Sequence, residues 1–143
     1  MLLGRRDFLA GCGLIVASAL LAARRAAASP ARRPVVAPST GHPRPRPGIT
    51  GAKVLAASAL GARTDLVPLF DGIRAIPGIA DGIRCNCGCA ELPGYYSLLS
   101  CYEAPAMAMA CPICQGQGRL AVRLRGEGKS LGEIRVAIDA QFG

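Results

Sequence analysis

Six cysteines fall within thirty positions of this 143-residue chain, and their spacing constrains it more than any other feature. Cys85-Asn86-Cys87-Gly88-Cys89 sets three thiols on alternate positions, Cys101 follows, and Cys111-Pro112-Ile113-Cys114 sets two across one turn. In extended chain alternate side chains share a side. Gly88 lets the backbone curl so that the sulfurs converge. Pro112 suits the first position of a helix, so Cys111 and Cys114 stand at a helix start. There the dipole and the free N–H groups favour thiolate over thiol, the form that both metal binding and redox exchange require.

Three uses of such a cluster stay open. The first is a metal site, zinc or copper(I), on Cys85, Cys87, Cys89, Cys101, Cys111 and Cys114 or some subset of them; soft thiolates suit both ions. The second is a set of three structural disulfides in an oxidising compartment, which would make the domain a non-catalytic interaction module. The third is a thiol–disulfide oxidoreductase working through Cys111 and Cys114. An even cysteine count favours disulfides. The crowding of the triplet counts against them, because three neighbouring sulfurs must each reach a distant partner. The metal site is the preferred reading, with the metal ion as the expected partner.

The start of the chain has a different character. Gly4-Arg5-Arg6-Asp7-Phe8-Leu9-Ala10 closely resembles a twin-arginine export motif, and an apolar run from Gly11 to Ala23 follows. That run is short for a transmembrane helix of about 20 residues. Ala26-Ala27-Ala28 offers a small-residue cleavage site. Residues 1–28 are therefore expected to be a signal peptide, directing the protein to the periplasm or the outer face of the cytoplasmic membrane. Membrane attachment is expected only if this leader stays uncleaved. Leu9-Ala10-Gly11-Cys12 spells a lipobox, but before the apolar run instead of after it, so the seventh cysteine is read as incidental.

Residues 29–48 hold Pro30, Pro34, Pro38, Pro43, Pro45 and Pro47 with no acidic residue. Such composition favours extended chain without a core. It predicts a disordered linker, in which His42, the one histidine of the sequence, is solvated. The net charge of +8 divides as +3 in residues 1–28, +4 in 29–48 and +1 in the remainder. The basic character belongs to the leader and linker, which argues against a nucleic-acid-binding surface on the domain.

The domain, 49–143, reads as mainly α, with about four helices stapled by the cysteine cluster. Ala52–Ala62 is rich in helix formers. Leu66, Leu69, Phe70, Ile73 and Ile76 recur at helical spacing, and Pro77 opens a further turn reaching Ile83. A helix over 111–126 would turn Ile113, Leu120 and Leu124 inward, weakened at Gly116 and Gly118. Ser130-Leu131-Gly132-Glu133 is a capping box that starts a last helix with Leu131, Ile134, Ile138 and Phe142 inward. The thin aromatic content, 4% with no Trp, leaves a small core that calls for a staple.

Arg84-Cys85-Asn86-Cys87-Gly88-Cys89, Ser100-Cys101-Tyr102, Cys111-Pro112-Ile113-Cys114 and Gly128-Lys129-Ser130-Leu131-Gly132-Glu133-Ile134-Arg135 together resemble the bacterial PCYCGC-motif family. The resemblance implies a small exported or lipid-anchored protein with six matching cysteines and a suspected metal site. Arg84 and Asn86 replace the Pro and Tyr of the name motif. Met107 and Met109 stand where many members carry a His. A weaker similarity, in Arg-Cys-x-Cys-Gly-Cys and the Gly-Lys-Ser helix, is to thiol proteins of cytochrome c maturation.

Other residues carry less. Met107 and Met109 are soft donors for copper(I), but read first as core filler. Tyr95 and Tyr96 either line the cysteine site or pack over a loop. Gln115-Gly116-Gln117-Gly118 lacks the preceding strand of a nucleotide-binding turn. No carboxylates pair as an acid/base couple, and the domain from residue 49 has no His to serve as a base.

Overall fold

The computed structural model describes residues 41–143; the expected leader, Cys12 and residues 29–40 of the expected linker lie outside the described residues. Among the described residues there are four α-helices joined by turns and short 3-10 segments, as expected for a small mainly α domain. None of these helices is long and apolar enough to cross a membrane.

Helix α1, Val67–Ala75, forms where Leu66, Leu69, Phe70 and Ile73 make one apolar face, and all four are buried. Pro68 sits in its first turn, where a missing N–H costs nothing. Helix α2, Pro77–Asp81, begins afresh at Pro77. Helix α3, Pro112–Gly126, packs against α1 on one side and on the other against α4, Leu131–Phe142. Ser130 Oγ accepts the Glu133 N–H while the Glu133 carboxylate accepts the Ser130 N–H at 2.9 Å, so the capping box is formed. Ile134 and Ile138 carry α4 into the core.

Two glycines of α3 are clearances for its neighbours. A Cβ at Gly116 would meet the Phe142 ring at 2.9 Å, and one at Gly118 would overlap the Tyr102 hydroxyl. Ile113, expected inward, is 39% exposed: the inward position of that first turn belongs to Cys114.

The helix expected over Ala52–Ala62 does not form. Val54 makes an antiparallel bridge with Glu103, the Leu55 N–H donates to the Tyr102 carbonyl at 3.1 Å, and only Ala57–Leu60 turns, as a 3-10 segment. The buried side chains explain this. Val54 and Leu60 are the two fully buried ones, and six residues apart they would stand on different sides of an α-helix. The Arg74 guanidinium also binds the carbonyls of Val54 and Leu55, at 3.3 and 2.6 Å.

The second correction concerns the end of the expected linker. Residues 41–48 are packed on the domain, so its folded part starts before residue 49. Arg46 grips the buried Asp81 carboxylate through Nη2 at 2.7 Å, through Nε, and through its own backbone N–H at 2.7 Å. The Ser97 hydroxyl donates to the same carboxylate at 2.8 Å. Arg46 also lies 4.9 Å above the Tyr96 ring, and Arg135 donates to the Pro43 carbonyl at 2.7 Å. His42, expected in solvent, has a side chain 3% exposed. The segment is held by charge and hydrogen bonds, which apolar periodicity cannot register. Asp81 between Ala80 and Gly82 in an apolar stretch was the available signal, because a buried carboxylate needs a cation.

Candidate metal centre

The three alternate cysteines do not lie on a strand. The chain turns through 86–88, Gly88 adopts the left-handed conformation at φ 89°, and Cys89–Glu91 follows as one 3-10 turn. No atom would obstruct a Cβ at Gly88, so the glycine is required for its backbone angle alone. From the other side, Cys111 caps α3, its sulfur accepting the Cys114 N–H at 3.5 Å. Cys114 enters from the first turn of that helix, wholly buried.

The sulfurs of Cys85, Cys87, Cys89 and Cys114 lie within 4.8 Å of one another, close enough to hold one metal ion. Cys85 to Cys87 is 3.3 Å, Cys85 to Cys114 3.4 Å, Cys87 to Cys114 3.5 Å and Cys87 to Cys89 2.7 Å. A tetrahedral zinc with sulfur ligands at about 2.3 Å sets its sulfurs about 3.8 Å apart, so the group would have to open to hold an ion, by about 1 Å between Cys87 and Cys89 and by less between the other three close pairs. None of the six cysteines among the described residues is joined in a disulfide.

Cys101 and Cys111 adjoin this group without completing it. Cys101 is fully buried, and its thiol lies 4.0 Å from the Ser97 carbonyl. Cys111 is half-buried, with its sulfur on the Cys114 N–H at the start of α3. Of the six cysteines singled out from spacing, four therefore form one ion-sized cage and two flank it.

The thiols divide their charge unequally. Cys101 and Cys114 together hold the Cys85 thiol far below its ordinary value. Cys114 is driven up by Cys101 and then Cys85, with burial adding to both. Burial, then Cys89, pushes Cys87 up. Burial alone would raise Cys111, but the N–H of Cys114 and the helix start outweigh it and lower the thiol. Cys85 is drawn toward thiolate while Cys87, Cys101 and Cys114 hold their protons more firmly; a bound cation is what would allow such thiols to ionise together.

Two residues missed by the spacing argument hold the site. Gln117, one turn beyond Cys114, is fully buried; its Oε1 accepts the Asn86 N–H at 3.2 Å, tying the triplet loop to α3. Its Nε2 donor is buried with no partner. Three positions after a site cysteine on a helix is the same face, which is the signal that marks Gln117. His42 is the other. Its Nδ1 accepts the Arg84 N–H at 2.9 Å and its Nε2 donates to the Asp139 carboxylate at 3.1 Å. Both ring nitrogens are therefore engaged in fixing the residue before Cys85. Beside them a pocket of about 430 Å³, lined by His42, Arg84, Cys85, Glu91 and Asp139 among others, opens next to the cage.

Met107 and Met109 pack partly buried against the core. Tyr95 packs there too, while the Tyr96 hydroxyl donates to the Arg44 carbonyl at 2.7 Å. No family model, curated protein or solved structure matches the chain.

Proposed function

We propose that the chain is an exported metal-binding protein of the PCYCGC-motif type whose centre, Cys85, Cys87, Cys89 and Cys114, holds zinc or copper(I). The observation that carries this reading is the mutual approach of four sulfurs to within 4.8 Å. Structural disulfides need sulfurs in separate pairs, at about 2.05 Å. Here one sulfur, Cys87, has three others within 3.5 Å. An all-sulfur donor set suits soft ions and disfavours magnesium or calcium. The Gln117 amide supports the same reading, since a buried donor without an acceptor is costly and a metal-bound thiolate beside the Asn86 loop is an acceptor it lacks. The role would be metal carriage, sensing or structural support outside the cytoplasm, delivered by the twin-arginine leader.

Elemental analysis of protein taken from the cytoplasm and from the exported fraction, with a free-thiol count on both, tests this. One tightly held zinc or copper per chain is expected, with thiols that become reactive only after chelation. Metal-free exported protein without free thiols would replace this reading by structural disulfides. Replacing Arg5 and Arg6 by Lys is expected to leave precursor in the cytoplasm; unchanged export would remove the twin-arginine route.

A further inference from the structure

The four cage sulfurs are unequally spaced. Cys87 and Cys89 are 2.7 Å apart, while Cys85–Cys87, Cys85–Cys114 and Cys87–Cys114 are 3.3, 3.4 and 3.5 Å. The Cys87–Cys89 contact is about 0.7 Å longer than an S–S bond and about 1 Å shorter than the spacing of two sulfurs on one zinc. The backbone favours the same pair: the turn through 86–88, with Gly88 left-handed, bends the chain between the two cysteines. Other molecules can also reach it. Cys87 is half-buried, whereas Cys85, Cys89 and Cys114 are buried. Asn86 and Gly88, on either side of Cys87, line the pocket of about 430 Å³, and nothing stands within 4 Å of the Cβ position of Gly88.

We infer that Cys87 and Cys89 form a thiol–disulfide exchange pair, which reduces an accessible disulfide of another molecule and itself becomes a Cys87–Cys89 disulfide. Cys87, the more exposed sulfur, attacks one sulfur of the incoming disulfide, and the other half leaves as a thiolate. Cys89 then attacks the Cys87 sulfur and expels the second half. One S–S bond breaks for each one formed, two electrons pass from the pair to the substrate, and the two thiol protons go to the departing thiolates. This activity and metal binding exclude each other. Oxidation takes two of the four cage sulfurs, and Cys85 with Cys114 alone cannot supply the four ligands of a tetrahedral zinc. The coupling to metal rests on the centre proposed above; the exchange pair does not.

The probe is oxidised glutathione, added without oxygen to the reduced full chain, metal-free and zinc-loaded. Burial helps to keep the proton on Cys87, so the exchange is followed to equilibrium and not by its rate. In the metal-free chain, alkylation and peptide mapping should find the first disulfide between Cys87 and Cys89, with Cys85, Cys101, Cys111 and Cys114 still free thiols. In the loaded chain, about one zinc should be released for every two thiols lost, read with a chromogenic zinc indicator. Cys89→Ser removes the second attack and should trap glutathione on Cys87. A first disulfide at Cys111–Cys114 or any other pair, or thiols that all survive, would overturn the inference; zinc bound by the same reduced chain would leave the metal centre standing. Zinc retained after the Cys87–Cys89 bond has formed would overturn the coupling. That bond in a chain that binds neither zinc nor copper would overturn the centre and leave the exchange pair standing.

Discussion

The Tyr102 hydroxyl donates to the Cys114 carbonyl oxygen at 2.8 Å, through a gap that exists because residue 118 has no side chain. Tyr102 is fully buried, its ring edge-on to Phe70 of α1 at 4.9 Å between centroids. This contact therefore joins the apolar core to the first turn of α3, where the sulfur of Cys114 meets its neighbours. Local propensity and packing disagree at Gly118: alanine is favoured in a helix interior by about 1 kcal/mol, but here it would push the Tyr102 ring out of place.

Packing is expected to prevail. Gly118→Ala should destabilise the protein by about 1–3 kcal/mol, the cost of overpacking a filled core. Gly126→Ala in the same helix, where no atom would meet the new Cβ, should be neutral or stabilise by about 0.5 kcal/mol. Urea unfolding of both variants measures the difference. Equal effects at the two positions would mean that the Tyr102 contact does not constrain the helix.

The ion pair of Arg46 with Asp81 makes a prediction about pH. Burial pushes the Asp81 carboxyl up, but the Arg46 guanidinium and N–H and the Ser97 hydroxyl outweigh it, and the group titrates below its ordinary value. A carboxylate with a depressed folded pKa contributes stability that is complete above the unfolded value of about 4 and is lost as pH falls below it. Arg46→Met leaves the buried carboxylate without its cation and should cost about 1–3 kcal/mol at pH 7. In reduced, metal-free protein the gap between wild type and variant should narrow between pH 5 and pH 3, by about the share that ionised Asp81 contributes. Urea midpoints at several pH values check it; a gap independent of pH would remove Asp81 as its source.

The same ion pair shows where reading the sequence stops. α1, α3 and α4 were legible because their apolar residues recur at helical spacing and their ends carry local signals, Pro112 and the Ser130–Glu133 box. The cysteine locus was legible because three alternate thiols and a Cys-x-x-Cys so close together have few separate destinations. Ala52–Ala62 misled because propensity is weak beside tertiary burial, and its two core residues are out of helical register. Residues 41–48 misled because their anchors are Asp81, Arg84, Arg135 and Asp139, 35 to 97 positions away along the chain. Nothing local in a Pro/Arg run announces distant partners. The division of six cysteines into a cage of four and two flanking thiols depends on how α3 docks, and spacing alone cannot give it.

Docking of residues 41–48 makes them part of the folded unit. Removing them should lower the thermal midpoint, unlike a cut that spares them. His42→Ala is the point test: it leaves the Arg84 N–H without its acceptor and takes one hydrogen bond from Asp139, and should cost about 1–3 kcal/mol. Arg84 is the neighbour of Cys85, so metal should also dissociate faster. An unchanged melting temperature and off-rate would return this segment to the role of a free tether.

Gln117 separates a residue that supports a metal from one that only fills space. Its Oε1 holds the Asn86 N–H between Cys85 and Cys87, and its Nε2 has no acceptor among the thiols as they stand. Gln117→Leu keeps the volume and removes both polar atoms. The lost acceptor destabilises and the removed orphan donor stabilises, so the net change in stability of the metal-free protein should stay within about 1 kcal/mol. Metal retention should respond far more. Residues that orient ligands or donate to them typically control affinity by about 10–100-fold, and a drop of that size is expected, measured by competition with a chelator of known strength. A matching loss of stability in the metal-free form would assign Gln117 to packing. Unchanged stability together with unchanged metal affinity would show that its amide does nothing for the centre.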